Sequence, residues 1–236
     1  MLVILDPGHG GWDPGGGSND LWKEKDLTLK LSKYQRDRFD FLGIPNAMTR
    51  DTDETLDPAT RVAIANRLIN QNPGENPILI SNHINNGGSK GAEVIYSIRN
   101  DGALARMIAD EIEKTGQTIR NVYQRTNAMG NDYYFIIRET PKANSMIVEY
   151  GFADNIDDVQ RLYYNWQPLA EAVVRAVSNY LGVPYIPPYF TIHVVRPGES
   201  LYKIAQLYDI TVDKLIADNG LQSNDLEVGQ ELYIYK

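Results

Sequence analysis

The first eleven residues, Met1-Leu-Val-Ile-Leu-Asp-Pro-Gly-His-Gly-Gly11, limit the folds open to this chain more than any other stretch. A short apolar run closed by turn residues reads as a buried strand, and Asp6-Pro7-Gly8 stops it abruptly. His9, one of three histidines in the sequence, follows at once between glycines. The pattern recurs. Pro77-Ile-Leu-Ile-Ser81 is a second apolar run ending at Asn82-His83, and Ser145-Met-Ile-Val-Glu-Tyr150 is a third, with Glu149 near its end.

Between these runs the periodicity turns helical. Leu27, Leu31, Tyr34 and Phe41 recur at helix spacing over residues 24–42, and Gly43 closes the segment. Residues 44–49 read as a short strand. Asp57-Pro58 pairs a capping aspartate with proline at the first helical position. Val62, Ala65, Leu68 and Ile69 supply the buried stripe of that helix, which Asn72-Pro73-Gly74 ends. Residues 91–98 are β-rich, 101–115 helical, 133–137 a short strand and 166–181 a helix packing through Ala170, Val173, Val174 and Val177. Strands alternating with helices predict an α/β fold, a mostly parallel sheet flanked by helices. Val183-Pro-Tyr-Ile-Pro-Pro188 then reads as a stiff extended linker. Beyond it the order strand, helix, helix, strand gives a small βααβ module. The expected division is 1–182, 183–189 and 190–236.

Composition removes whole classes of function. No run approaches the roughly 20 apolar residues needed to span a bilayer, so membrane insertion is not expected. The net charge is −8, and the last 47 residues hold four Lys/Arg against seven Asp/Glu. Neither part offers the basic face that nucleic acid requires. With no cysteine, any metal site must use carboxylate and imidazole, and the imidazoles can come only from His9, His83 and His193.

In an open parallel sheet, ligands bind beyond the carboxyl ends of the strands. His9, His83 and Glu149 are therefore expected at one sheet edge, and Glu24, opening the helix that returns from that edge, joins them. Two imidazoles and one carboxylate make a catalytic zinc shell with water in the fourth position. A further carboxylate, Glu149, then handles the water's proton. Singly, each residue is better read as structural, a surface charge offsetting a helix dipole or a bonded histidine; together the four suffice for amide or ester hydrolysis. The glycines around His9 are expected to keep the rim of the site low.

Asp6-Pro-Gly-His-Gly-Gly11, Lys23-Glu-Lys-Asp-Leu27, Ser81-Asn-His-Ile-Asn85 and Val148-Glu-Tyr-Gly-Phe-Ala-Asp-Asn155 resemble, in order, the motifs of zinc-dependent N-acetylmuramoyl-L-alanine amidases. The resemblance implies His9, Glu24 and His83 as zinc ligands and Glu149 as the catalytic carboxylate. It implies hydrolysis of the amide between the lactyl group of N-acetylmuramic acid and L-alanine of the stem peptide. Asn82 stands where the family more often has a small or apolar residue. Arg138 could meet a stem-peptide carboxylate, a surface ion pair being its simpler role.

His193-Val-Val-Arg-Pro-Gly-Glu-Ser-Leu-Tyr-Lys-Ile-Ala205 and the stretch from Asn219 are similar to a LysM domain. That likeness implies a groove for N-acetylglucosamine-containing glycan strands at Gly198, Glu199, Ser200 and Leu201 on one loop and Gly220 and Leu221 on the other. His193 is assigned no chemistry. The expected protein is thus a peptidoglycan hydrolase targeted to the bacterial wall. Its start lacks a recognisable signal peptide, so it is expected to be made in the cytoplasm and to reach the wall by holin-type release or mother-cell lysis. Two alternatives stay open: a catalytically inactive wall-binding protein, and a zinc hydrolase cutting another peptidoglycan bond as a deacetylase or peptidase.

Overall fold

The computed structural model describes residues 1–72 and 76–235. The chain opens with β1 (Val3–Pro7), α1 (Glu24–Phe41), β2 (Asn46–Met48), α2 (Pro58–Asn70) and β3 (Ile78–Asn85). It continues with β4 (Ala92–Tyr96), α3 (Ala103–Lys114), β5 (Ile119–Tyr123), α4 (Phe135–Arg138) and β6 (Asn144–Phe152). Then come α5 (Ile156–Tyr164), α6 (Trp166–Leu181), β7 (Phe190–Val194), α7 (Leu201–Leu207), α8 (Val212–Asn219) and β8 (Glu231–Tyr235).

Six strands form one sheet in the order β2-β1-β3-β6-β4-β5. β4 runs antiparallel to β6 and parallel to β5, while the pairings among β2, β1, β3 and β6 are all parallel. The sheet is mostly parallel, as its sequence predicts. Alternate strand residues feed two cores, as the pleat requires. Val3, Leu5, Ile78, Ile80 and Val148 join residues of α1, α3 and α6, while Ile4, Leu79 and Ile147 meet Ala65 and Ile69 of α2 on the other face.

Local chemistry explains most boundaries. Asp57 Oδ1 accepts from the N–H of Ala59 (2.9 Å) and Thr60 (3.0 Å), capping α2. The predicted end of that helix at Pro73-Gly74 lies outside the described residues. Gly43, at φ 69°, takes the left-handed turn that ends α1. Four expectations are corrected. Phe41 is 52% exposed, because α1 turns it past the core and buries Phe39 instead. Residues 133–137 are not a strand: Phe135–Arg138 make one helical turn that seats Ile136 and Ile137 in the second core. β3 runs on through His83 to Asn85 rather than stopping before it, and β6, expected over 145–150, extends to Phe152. The strand predicted at 44–49 pairs only over Asn46–Met48.

The C-terminal ribbon of β7 and β8 is antiparallel. Its inner face, with Leu232 and Ile234, closes a small core with Leu201, Ile204 and Leu215. Its outer face is also covered: Ile192 and Val194 belong to the large core beside Trp166. Glu231 Oε1 accepts from Trp166 Nε1 (2.7 Å) and pairs with Lys30, while Ile192 N–H donates to Gln167 Oε1 (2.7 Å). The Pro-rich segment is likewise fastened. Arg38 Nη2 donates to Ile186 O (2.5 Å) and the Tyr185 hydroxyl to Glu171 Oε1 (2.9 Å). It runs along α1 and α6 instead of holding the small module away from them. No described helix is long and apolar enough to cross a membrane.

Candidate metal centre and catalytic cleft

β1 delivers His9 under constraint. The residue sits at φ 61°, a left-handed conformation that costs a non-glycine residue about 1–3 kcal/mol and persists only when its surroundings hold it. Two buried arginines do so. Arg61 donates to Pro7 O (2.7 Å) and His9 O (2.6 Å), and Arg50 donates to Gly8 O (2.8 Å) and Pro7 O (3.1 Å). Asp6 completes the clamp by accepting from Arg61 (2.7 Å), Thr49 (2.5 Å) and Ser81 (2.7 Å). Burial would raise the Asp6 carboxyl's pKa, but the Arg61 charge and these hydrogen bonds outweigh it and hold it below the usual range.

The glycines serve contact rather than a low rim. A side chain at Gly8 would overlap the His83 ring, and one at Gly15 would overlap Glu24. Their absence lets the 8–17 loop close onto both groups.

Glu24 opens α1, is buried, and bridges the imidazoles. Its Oε2 lies 3.1 Å from His9 Nε2 and its Oε1 3.1 Å from His83 Nδ1. Backbone N–H groups of Gly17 (2.7 Å) and Ile84 (2.9 Å) also donate to it. The two rings meet edge-on, centroids 5.0 Å apart. One donor atom from each of His9, Glu24 and His83 lies within 4.8 Å of the others, an arrangement open to a metal ion. Burial opposes charge on Glu24, yet the hydrogen bonds and charges of His83 and His9 keep its carboxyl far below the ordinary range. Burial likewise opposes the His9 imidazolium, but Glu24 and then Asp13 lift that group to about 9. Asp13 is the residue sequence reasoning missed: its Oδ2 lies 2.7 Å from His9 Nδ1. The contact is made because His9 turns left-handed, which its spacing from Asp13 does not announce.

Glu149 sits on β6 in register with His83 on β3. Its Oε2 is sealed from solvent without a hydrogen-bond partner. Burial pushes this carboxyl up to about 7, with His83 partly offsetting and Glu24 and Glu93 adding to the rise. The neighbouring Glu93 is neutralised by Arg120 and accepts from Asn85 Nδ2 (2.9 Å). His9, His83 and Glu149 face a cleft of about 250 Å³ whose apolar wall includes Leu56 and Phe135.

Asn82 turns away from this cleft. Its amide donates to Ser32 Oγ (2.7 Å) and Gln35 Oε1 (2.8 Å) and accepts from the Tyr150 hydroxyl (2.8 Å). Replacing it by alanine strands buried partners, so Asn82→Ala is expected to lower stability by about 1–3 kcal/mol in denaturant unfolding. Arg138 donates to the carbonyls of Asp132 (3.0 Å) and Tyr133 (2.7 Å) and does not line the cleft. In the small module, Gly198, Ser200 and Gly220 are exposed, while Leu201 is buried in its core and Leu221 packs partly against it. Glu199 Oε2 is engaged by His193 Nε2 (2.8 Å) and the Arg196 N–H (2.7 Å).

A mostly parallel α/β domain gathers imidazole and carboxylate groups at its strand ends, a donor set suited to hydrolysis. A family model described as N-acetylmuramoyl-L-alanine amidase matches residues 3–179, and a LysM domain model matches residues 193–234. The chain belongs to the N-acetylmuramoyl-L-alanine amidase family, as a peptidoglycan amidase with a C-terminal LysM module for wall binding. It is 30% identical over 185 residues to the probable cell wall amidase LytH of Staphylococcus aureus, covering 76% of this chain and 58% of that protein. It is 27% identical over 182 residues to the uncharacterized protein YqiI of Bacillus subtilis, covering 75% and 84%. Among solved structures, the N-acetylmuramoyl-L-alanine amidase AmiC2 of Nostoc punctiforme superposes with TM-score 0.66 at 27% identity, over 77% of this chain and 97% of that one.

Proposed function

We propose that the chain, with residues 1–182 as catalytic domain and 190–236 as wall-binding module, hydrolyses the lactyl–L-alanine amide of peptidoglycan using zinc held by His9, Glu24 and His83. The observation that carries this reading is the convergence of two imidazole nitrogens and a carboxylate beside a sealed, unpartnered Glu149 oxygen. This donor set suits tetrahedral zinc with one position left for water. Bound there, zinc would activate that water and polarise the scissile carbonyl.

The remaining work falls to side chains. Asp13 accepts the hydrogen bond of His9 Nδ1–H and so turns Nε2 toward Glu24 and the site. Glu149, ionised, accepts a proton from the attacking water as its oxygen bonds to the lactyl carbonyl carbon. As the C–N bond breaks, the same carboxyl returns the proton to the departing alanine nitrogen. The apolar side chains of Leu56 and Phe135 line the same cleft and would limit water around the bond.

Asp13→Asn keeps the shape but weakens the hold on His9, and zinc affinity is expected to fall about 10–100-fold in competition with a chromophoric chelator. Product analysis tests the reaction. Digested peptidoglycan should gain free L-alanine amines, without new reducing ends, in a chelator-sensitive and zinc-restored manner. Release of acetate or cleavage inside the stem peptide would favour the deacetylase or peptidase readings, and no products at all a wall-binding role alone.

A further inference from the structure

A larger cleft than the catalytic one, about 620 Å³, lies between the outer face of α1 and the β7–β8 ribbon. Leu29, Lys33, Asp37 and Phe41, at four-residue intervals, place one wall on a single helix face running about 18 Å at 1.5 Å per residue. The opposite wall carries Tyr189 and Tyr233. These aromatics are unusually open to solvent, with Tyr189 61%, Phe41 52% and Tyr233 41% exposed. Tyr189 and Tyr233 each lie nearly parallel to Tyr235, at 22° and 18° with centroids 5.9 and 6.3 Å apart. The run of rings is therefore ordered.

Charge narrows the ligand. Three acids, Asp26, Asp37 and Glu231, and three bases, Lys30, Lys33 and Arg38, line the cleft, so it carries no net charge in a chain of −8. Most are already committed: Lys30 to Glu231, Arg38 to Glu171 and Asp37 to Arg36. An anionic stem peptide would gain nothing from such a balance, and a protein partner would bury these pairs at a desolvation cost. A neutral chain of flat-faced rings fits better, its apolar C–H faces on the tyrosines and its polar edges toward the lysine and carboxylates.

We propose that this cleft is a second glycan-binding site, taking a peptide-free stretch of N-acetylated amino-sugar chain apart from the LysM loops. The proposal rests on the peptidoglycan substrate proposed above. Because one wall is α1 and the other the ribbon, the site exists only while the two parts are docked.

Calorimetric titration of the full chain with hexa-N-acetylchitohexaose tests it. Wild type should bind one more hexasaccharide per chain than Tyr189→Ala/Tyr233→Ala, and one more than Phe41→Ser, which alters the opposite wall without touching the ribbon. All three side chains are exposed, and melting curves of the variants serve as the control for folding. Equal stoichiometry and affinity in wild type and both variants would overturn the proposal. The probe contains no lactyl amide, so the outcome does not depend on whether the metal site hydrolyses anything.

Discussion

Glu149→Gln is expected to lower amide hydrolysis by about 10²–10⁴-fold, the usual worth of a positioned acid–base group, and to make the metal-free protein more stable above neutral pH. The sign follows from burial. This carboxyl is pushed up from 4.5 to about 7, so between those values the folded state binds a proton that the unfolded state releases. Stability therefore falls as pH rises through that window, and above it the ionised group is a standing cost of about 3 kcal/mol at most. Glutamine carries no charge to desolvate. Melting in the presence of chelator should show the variant above wild type at pH 8 and close to it at pH 5. Retained hydrolysis would remove Glu149 from the mechanism, and equal melting at pH 8 would contradict the desolvation of its carboxyl. Activity and stability are opposed at this one side chain.

Removing residues 190–236 is the second large perturbation. The outer face of β7 buries Ile192 and Val194 in the amidase core, and burying one such side chain is worth about 1.5–3 kcal/mol. The truncated chain also loses the bonds from Trp166 and Gln167. The catalytic part is expected to melt lower by about 5–15 °C, given about 2–4 °C per kcal/mol at this size. Sedimentation with cell walls should weaken as well. An unchanged melting point would mean that the docking adds no stability; unchanged sedimentation would mean that wall binding resides elsewhere.

The candidate site residues were legible because apolar strands announce where they end, and His9, His83 and Glu149 stand at or near those ends. What the strand pattern left open was how far pairing continues: β3 and β6 extend to Asn85 and Phe152, so His83 and Glu149 face each other as registered neighbours. β5 went unread because an edge strand with Arg120 and Asn121 exposed lacks the alternation that marks a half-buried strand. α5, begun by Asn155 capping Asp157 and Asp158, is too short for its stripe to stand out. The 133–137 run has β-type composition, yet Ile136 and Ile137 are placed by packing against the second core, which overrides local preference. The docking of the small module did leave a trace. Val194 and Val195 are consecutive and both buried, one on each face of the ribbon, as expected where both faces are covered. The Asp13 contact and the arginine clamp at His9 depend on one left-handed residue, and nothing in residue spacing announces it.

His9, Glu24 and His83 together are proposed to hold the metal that amide hydrolysis needs. Anomalous scattering recorded above and below the zinc edge, from crystals of the active protein, tests it most directly. One zinc peak is expected, bonded to His9 Nε2, His83 Nδ1 and a Glu24 carboxylate oxygen. A peak that excludes Glu24, or a fully active protein with zinc bound elsewhere or not at all, would contradict it.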